Sequence, residues 1–463
     1  VVMNEAGTAN LSVGTDVKAR LAAWTRRAHD RLDPARAVFC YGRVEQISAT
    51  LVVASLPRCA IGDLCELSKL DSAGAPVLAE VIGFDAKHAL LAPLGPLDGI
   101  GSNSPIRTLG VPHSVRVGPH LFGKVLDGFG RSMRPDAAAA ASASNDSTTV
   151  RVLAAAPCAA ARPLIDRRVV TGVRAIDALL TLARGQRAGL FAGPGCGKST
   201  LLGALARGID ADAIVVGLVG ERGRELNEFL ERELDPPLTR RTVVVCATSD
   251  APPMERARAA FTATAIAEGF CHSGRHVLLL IDSLTRFARA QREIGLASNE
   301  PPGRLGYPPS VYAALPRLIE RAGNREHGAI TGIYTVLTET EHADPIADEA
   351  RSLLDAHIVL SRKLAERGHF PAVDVIASLS RLMPVVADLS HRHDAEHARM
   401  LLSRYGDLEW LISLGEYEPG HDPAADDAVA RYPRLAELLR QDLRIPVPWE
   451  KTLEQLHAAV RGQ

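Results

Sequence analysis

Aromatic residues make up only 4 % of this 463-residue chain, too few for the stacking platforms on which single-stranded nucleic-acid binding depends. No sign of charge dominates. Lys plus Arg number 53 against 54 for Asp plus Glu, a formal net charge of −1, so nothing in the bulk charge calls for nucleic acid or an anionic membrane as main partner, although local patches remain open. The seven cysteines (Cys40, Cys59, Cys65, Cys158, Cys196, Cys246 and Cys271) are odd in number, scattered and without a CxxC pair, which argues against a disulfide framework or a zinc site. Long apolar runs are missing too. The longest, near HVLLLI, is far too short to cross a bilayer, and the first residues, VVMNEAGTAN, lack a basic start followed by an apolar core. The expected location is the cytoplasm, with any membrane association made through a protein partner or a surface helix.

Length predicts roughly three domains, and the patterning supplies them. Residues 37–110 carry short alternating runs (ATLVVAS, DLCELS, APVLAEVIGF) between Gly, Pro and Asp, the pattern of a small β-barrel. The segment before it, 1–36, is read as flexible, with LAAWTRRAHDRL either an amphipathic helix or a frayed tail. Residues 111–388 alternate apolar strands (RAGLFA, AIVVGLVG, RTVVVCATS, RHVLLLIDS, AITGIYTVL) with helical segments, as in a doubly wound, mainly parallel sheet. Inside this stretch 136–150 is small, polar and low in complexity, read as a mobile surface loop. Residues 389–463 show helical spacing with almost no strand signal. The fold class expected is therefore α/β, with a barrel before the sheet and a helical domain after it.

The sharpest motif is GPGCGKST, Gly193, Pro194, Gly195, Cys196, Gly197, Lys198, Ser199 and Thr200, placed between an apolar strand and a helix-favouring run. This is the Gly-x-x-x-x-Gly-Lys-Ser/Thr phosphate loop: glycines let backbone N–H groups converge on phosphate oxygens, and Lys198 adds a point charge for the β and γ phosphates. The residue after the lysine ordinarily ligates Mg²⁺, which selects Ser199 and leaves Thr200 as a phosphate neighbour. ATP with Mg²⁺ is the cofactor pair this implies.

Two carboxylates follow apolar strands. Asp282 ends RHVLLLID, at the strand edge where open α/β sheets bind ligands, and is the candidate to hold a Mg²⁺-bound water. Glu221, in VGERGRE, is placed to orient and polarise an attacking water, with Arg222 and Glu225 fixing it. A solvated, charged helix start is the bland alternative for the second group. PPGRLGYPPS (301–310) is too rich in Pro and Gly for regular structure and reads as a stiff loop displaying Arg304 and Tyr307. His391, His393 and His397 share spacing with a metal site but lack an acidic or cysteine partner, so solvated histidines are expected instead.

GPGCGKST, VGERGRE, LLLIDSLTRFARAQRE, PPGRLGYPPSVY and PAVDVIASLSR stand in the order found in catalytic subunits of rotary ATPases, and PAVDVIASLS resembles that family's decapeptide signature. The resemblance covers about residues 25 to 460. Within the family the chain is most similar to type III secretion ATPases of the injectisome or of the flagellar exporter, through VGPHLFGKVLDGFGR, RSLLDAHIVLSRKLAERGHFPAVDV and LISLGEYEPGHDP. The Cys196-containing loop and GEYEPG lean towards the injectisome branch.

The resemblance implies a RecA-like nucleotide-binding domain in which Lys198 and Ser199 bind phosphate and metal, Glu221 is the catalytic carboxylate and Asp282 supports the metal. It also implies that Arg381 reaches the γ-phosphate of a neighbouring subunit, and that Phe370 stacks on the adenine, as the frequent Tyr does but without a phenolic hydrogen bond. A buried core Phe is the competing reading. The implied assembly is a homo-oligomer, a hexameric ring with a central stalk protein, a stator-like regulator, chaperone–effector complexes and the inner-membrane export apparatus as partners, and no nucleic acid. Its work would be to release and unfold chaperone-bound substrates for export. Three rivals stay open: a rotary ATP synthase subunit, an RNA translocase of the transcription terminator type, and a nucleotide-binding scaffold without turnover.

Overall fold

In the computed structural model, which describes residues 40–48, 51–70, 75–85, 87–133, 147–338 and 344–461, the alternating runs before Pro112 close into a barrel. Its strands are β1 (Tyr41–Ile47), β2 (Val52–Ser55), β3 (Asp63–Leu67), β4 (Val77–Asp85), β5 (His88–Pro93) and β6 (Pro105–Pro112). They run β1-β2-β5-β4-β3-β6, every pair antiparallel, and β6 returns to β1. Inward residues such as Val44, Val52, Leu67, Leu91 and Ile106 fill the interior, and closure leaves no open sheet edge. The helix expected at 21–32 lies outside the described residues.

A second unit runs from His113 onward. Its strands are β7 (Ser114–Val117), β8 (Val125–Leu126), β9 (Thr148–Arg151), β10 (Arg168–Val169), β11 (Leu182–Ala183), β12 (Arg187–Ala192), β13 (Ala213–Glu221), β14 (Thr242–Thr248), β15 (His276–Asp282), β16 (Gly323–Asn324), β17 (Ala329–Leu337), β18 (Ala356–Leu360) and β19 (Leu379–Ser380). The main sheet reads β19-β18-β12-β17-β15-β13-β14-β8, with β16 paired to β17. All its pairings are parallel except those of β16 and β19. Residues 136–146 of the expected surface loop lie outside the described residues, and its end from Thr148 belongs to β9.

Parallel strands must be covered on both faces, and β13 shows how. Ile214, Val216 and Leu218 point into one apolar core, Ala213, Val215 and Val219 into the other. The first core also holds the helix Lys198–Gly208 and parts of the terminal helices Leu389–Leu414, Pro423–Leu439 and Trp449–Arg461, including Leu401, Leu435 and Leu456. The second holds the helices Pro253–His272, Leu284–Ala297 and Pro309–Ile319. Because the terminal helices share a core with the sheet, they form one unit with it. Among the described residues no helix is long and apolar enough to cross a membrane.

One buried ion cluster ties the second face together. Arg321, fully buried, donates Nε to Glu268 Oε1 at 3.1 Å and Nη2 to Oε2 at 2.5 Å, while its Nη1 bonds the carbonyl of Val152 at 2.7 Å. Arg325 adds a second guanidinium on Glu268 at 3.1 Å. A buried pair offers little net stability over an apolar substitute, yet removing one partner strands the other charge. Glu268→Gln is therefore expected to destabilise the chain by about 3–5 kcal/mol, read as a shift of the denaturant midpoint. A change below about 1 kcal/mol, the range of an exposed pair, would refute the assignment.

Candidate active site

At the carboxyl edge of the sheet, β12 runs into the phosphate loop and the loop into the helix Lys198–Gly208. Gly195 and Gly197 take φ of 79° and 82°, left-handed conformations that side chains resist. Gly197 is the N-cap and offers no side-chain cap, so the helix's first N–H groups are left for a ligand. Ser199 and Thr200 are exposed on that first turn. Cys196 is buried at 2 % exposure, its Sγ 3.9 Å from the carbonyl of Pro194.

Lys198 reaches across to the ends of two strands. Its Nζ lies 2.6 Å from Asp282 Oδ1 and 3.3 Å from Glu221 Oε1. Burial alone would lower its pKa, but the attraction of Asp282 and Glu221 more than offsets this and raises it. Asp282 also accepts a hydrogen bond from Thr335 Oγ1 at 2.6 Å. Glu221 meets Arg286 Nη1 at 2.8 Å through Oε2, an ion pair rather than an aligned hydrogen bond.

Glu221 is set by a bulge. The β13–β14 register slips between Val219 and Glu221, at Gly220 with φ of 67°. A Cβ at Gly220 would stand 3.4 Å from the side chain of Arg286, whose guanidinium also bonds the carbonyl of Gly220. Burial first, then hydrogen bonding with Glu225 and the charge of Asp282, push the Glu221 carboxyl up to about 7, against Lys198 and Arg286. The same hydrogen bond lowers Glu225.

Other expected residues fall in three places. Arg222 is not brought to the cluster: its side chain is 72 % exposed and pairs with Glu225 at 3.5 Å. Phe370 is 43 % exposed, not a core residue, and a Cβ at Gly197 would come within 3.8 Å of its ring. It walls a cavity of about 340 Å³ with Cys196, Gly197, Thr200, Pro371 and Leu443, within the range of small-molecule sites. Arg381 is exposed, and its N–H bonds the carbonyl of Asp355 at the amino end of β18. Since β18 runs parallel to β12, Arg381 lies at the sheet edge opposite its own phosphate loop.

Two further expectations are corrected. His391 is not solvated but 3 % exposed, its Nε2 2.7 Å from the carbonyl of Ala178 and its ring edge-on to Trp449; only His393 is fully exposed. In the 301–310 loop Arg304 is displayed, with a side-chain exposure of 64 %, whereas the Tyr307 ring packs beneath the guanidinium of Arg292 at 5.5 Å. Sequence reading missed Arg286 and Thr335 as site residues. Arg286 had a signal, a cation in the first turn of the helix Leu284–Ala297, where the helix dipole disfavours positive charge. Thr335 had a fainter one, a hydroxyl within an apolar central strand.

Among the described residues no cluster of three or more His, Cys, Asp or Glu could hold a metal by itself. Mg²⁺ rarely needs one, since it is commonly held by one or two protein oxygens together with waters and substrate phosphates. The exposed hydroxyl of Ser199 and the carboxylate of Asp282 fit that demand.

A phosphate loop whose lysine reaches two strand-end carboxylates defines the chain as a P-loop nucleotide-binding protein. Residues 172–380 match the ATP synthase alpha/beta family, nucleotide-binding domain, and residues 387–458 match the T3SS EscN ATPase C-terminal domain. The chain is 54 % identical over 442 residues to the type 3 secretion system ATPase of Pseudomonas syringae pv. syringae, covering 95 % of this chain and 98 % of that protein. It is 43 % identical over 417 residues to the flagellum-specific ATP synthase of Bacillus subtilis, covering 90 % and 94 %. Among solved structures it resembles the assembled ATPase EscN from the enteropathogenic E. coli type III secretion system, with TM-score 0.84 and 44 % identity over 90 % of this chain and 100 % of that one. EscN in complex with its central stalk EscO matches with TM-score 0.82 and 43 % identity over the same shares. The chain belongs to the type III secretion ATPase family, and it is an ATPase.

The raised pKa of Glu221 sets an expectation for the pH dependence of turnover. With its pKa raised from 4.5 to about 7, the folded chain keeps a proton there that the unfolded chain has lost. Its contribution to stability is thus fully present below pH 4.5 and is lost as pH rises through about 7. Activity runs the other way if the carboxylate form is needed. The acid limb of kcat/KM, which reports the free enzyme, is expected near pH 7 and should move to lower pH in Glu225→Gln, where the neighbouring carboxylate is gone. A limb that stays in place would separate Glu221's titration from Glu225.

Proposed function

We propose that the chain hydrolyses MgATP at sites shared between identical subunits of a ring, a hexamer, and that this hydrolysis energises type III protein export. The observation that carries the shared site is the placement of Arg381, exposed at one sheet edge while Lys198, Glu221 and Asp282 gather at the other. A guanidinium fork can neutralise charge spread over the equatorial oxygens of the transferred phosphoryl group, worth about 10³–10⁵ in rate. A single chain cannot supply it to its own loop, so a second copy would, as closed symmetric assemblies allow.

In this reading the loop N–H groups of Gly195 to Lys198 and the ammonium of Lys198 bind phosphate. Ser199 and Asp282 would hold the metal, Asp282 through a bound water, and the metal would supply neutralisation of phosphate charge. Glu221 orients the attacking water, held by Arg286 on one side and Glu225 on the other. Phe370 faces the base across the 340 Å³ cavity, stacking without reading its edge. The export role rests on the relatives named above, as does a stalk in the ring. Release and unfolding of chaperone-bound substrates, a stator-like regulator and a cytoplasmic station at the inner-membrane apparatus complete the proposal.

Two experiments test it. Glu221→Gln keeps size but removes the charge, so steady-state hydrolysis should fall by about 10²–10⁴-fold while nucleotide binding survives; near-normal turnover would displace Glu221 from the role. Lys198→Ala and Arg381→Ala are each expected to be inactive alone. Mixed and reassembled, they should regain ATPase activity, because some interfaces then pair an intact phosphate loop with an intact arginine. No recovery from co-assembled rings would place both groups in one subunit's site.

A further inference from the structure

We infer that Thr335 is a positioning residue, holding the Asp282 carboxylate in the orientation that receives the metal's water. The inference rests on the reading of Asp282 as the metal-supporting group. β17 lies between β12 and β15, with Thr335 beside Leu190 on one side and Tyr334 beside Ile281 on the other. Thr335 is fully buried and Asp282 is 4 % exposed. The hydroxyl donates to Asp282 Oδ1 at 2.6 Å, and Lys198 Nζ donates to the same oxygen at 2.6 Å. Among the described residues no protein donor is recorded on Oδ2.

The two donors are not equivalent. Lys198 is also the group that phosphates attract, so a bound nucleotide draws it away from the carboxylate. Thr335 is uncharged and fixed in a central strand, and it remains on Oδ1 when Lys198 leaves. A carboxylate held by one oxygen keeps its plane, and the other oxygen stays free to accept from a metal-bound water. The other threonine of the strand has a different duty: Thr331 Oγ1 lies 2.8 Å from His276 Nε2 and accepts from the N–H of Gly185 at 3.0 Å. Asp282 is the recorded partner of the Thr335 hydroxyl, so its chemistry is aimed at the site.

The test compares binding of a fluorescent adenine nucleotide with Mg²⁺ and with EDTA, for wild type, Thr335→Val, Thr335→Ser and Asp282→Asn. Valine matches threonine in shape and removes the donor; Thr335→Ala replaces it if valine packs badly. The tightening of binding by Mg²⁺ should shrink by about 10-fold or more in Thr335→Val, the lower end for loss of an outer-shell partner. Metal-free affinity should stay unchanged, and Thr335→Ser should restore the wild-type ratio. If Thr335→Val keeps the wild-type ratio while Asp282→Asn loses it, Thr335 does not position Asp282. If metal-free binding falls equally in Thr335→Val, the residue is merely structural and the inference is overturned. An unchanged ratio in Asp282→Asn overturns it too, and places the failure in the metal reading.

Discussion

The ammonium of Lys198, shared between Asp282 and Glu221, is the contact on which the rest of the site depends. Two nearly buried carboxylates at neighbouring strand ends repel each other, and burial penalises both charges. Lys198 offsets that cost at both carboxylates and Arg286 at Glu221, yet Glu221 still has its pKa raised to about 7. The balance is one that a polyanion with its metal can take over. In the proposed reaction Lys198 would turn from the carboxylates to the phosphates, and a metal held by Ser199 and Asp282 would supply the positive charge it gives up, so the pair of carboxylates would not be left bare.

That contact exists because the sheet is parallel. β12, β13 and β15 all end at one edge, so residues distant in sequence, at 198, 221 and 282, converge without any loop having to fold back. The same regularity sends Arg381 to the other edge. β19 is antiparallel to β18, so the chain travels back along the sheet before it reaches the arginine. Opposite edges of one subunit then become neighbouring faces only when copies meet, which is why the proposed chemistry and the proposed assembly stand or fall together.

Much of this was legible in the residues. RAGLFA is β12 itself, the apolar run ending in Asp282 is β15, and the glycine spacing of the loop announced its own function. These features are local, a period of two or a fixed spacing, and local patterns survive reading without coordinates. What escaped depended on long-range register. Arg222 adjoins Glu221 in the chain, whereas Arg286 lies far along it and reaches Glu221 only in the fold. At the bulge at Gly220 Glu221 meets Arg286, and Arg222 is left as an exposed N-cap residue. Thr335 lies 53 positions from Asp282, and only the order of strands brings them together. His391 was misread for a similar reason: the helix face it occupies looks charged in sequence, but Ala178 and Trp449 cover it.

The terminal helices then have a consequence for the nucleotide site that their late position in the chain conceals. They share a core with the face of the sheet that carries the Lys198–Gly208 helix, and the segment joining the last two of them lines the cavity beside Phe370 through Gln441 and Leu443. Gln441 is held on several sides, with its N–H on the carbonyl of Phe370 at 2.9 Å, its Oε1 on the N–H of Arg174 and its Nε2 on the carbonyl of Gly172. A group so fully bonded has little left with which to read a base edge; its role is to fix the wall. A shift of the Phe370 backbone would therefore also strain the bond to Gln441, and through it the contact with Gly172. A cavity wall contributed by the helical end makes the cavity beside Phe370 and the terminal helices one mechanical element.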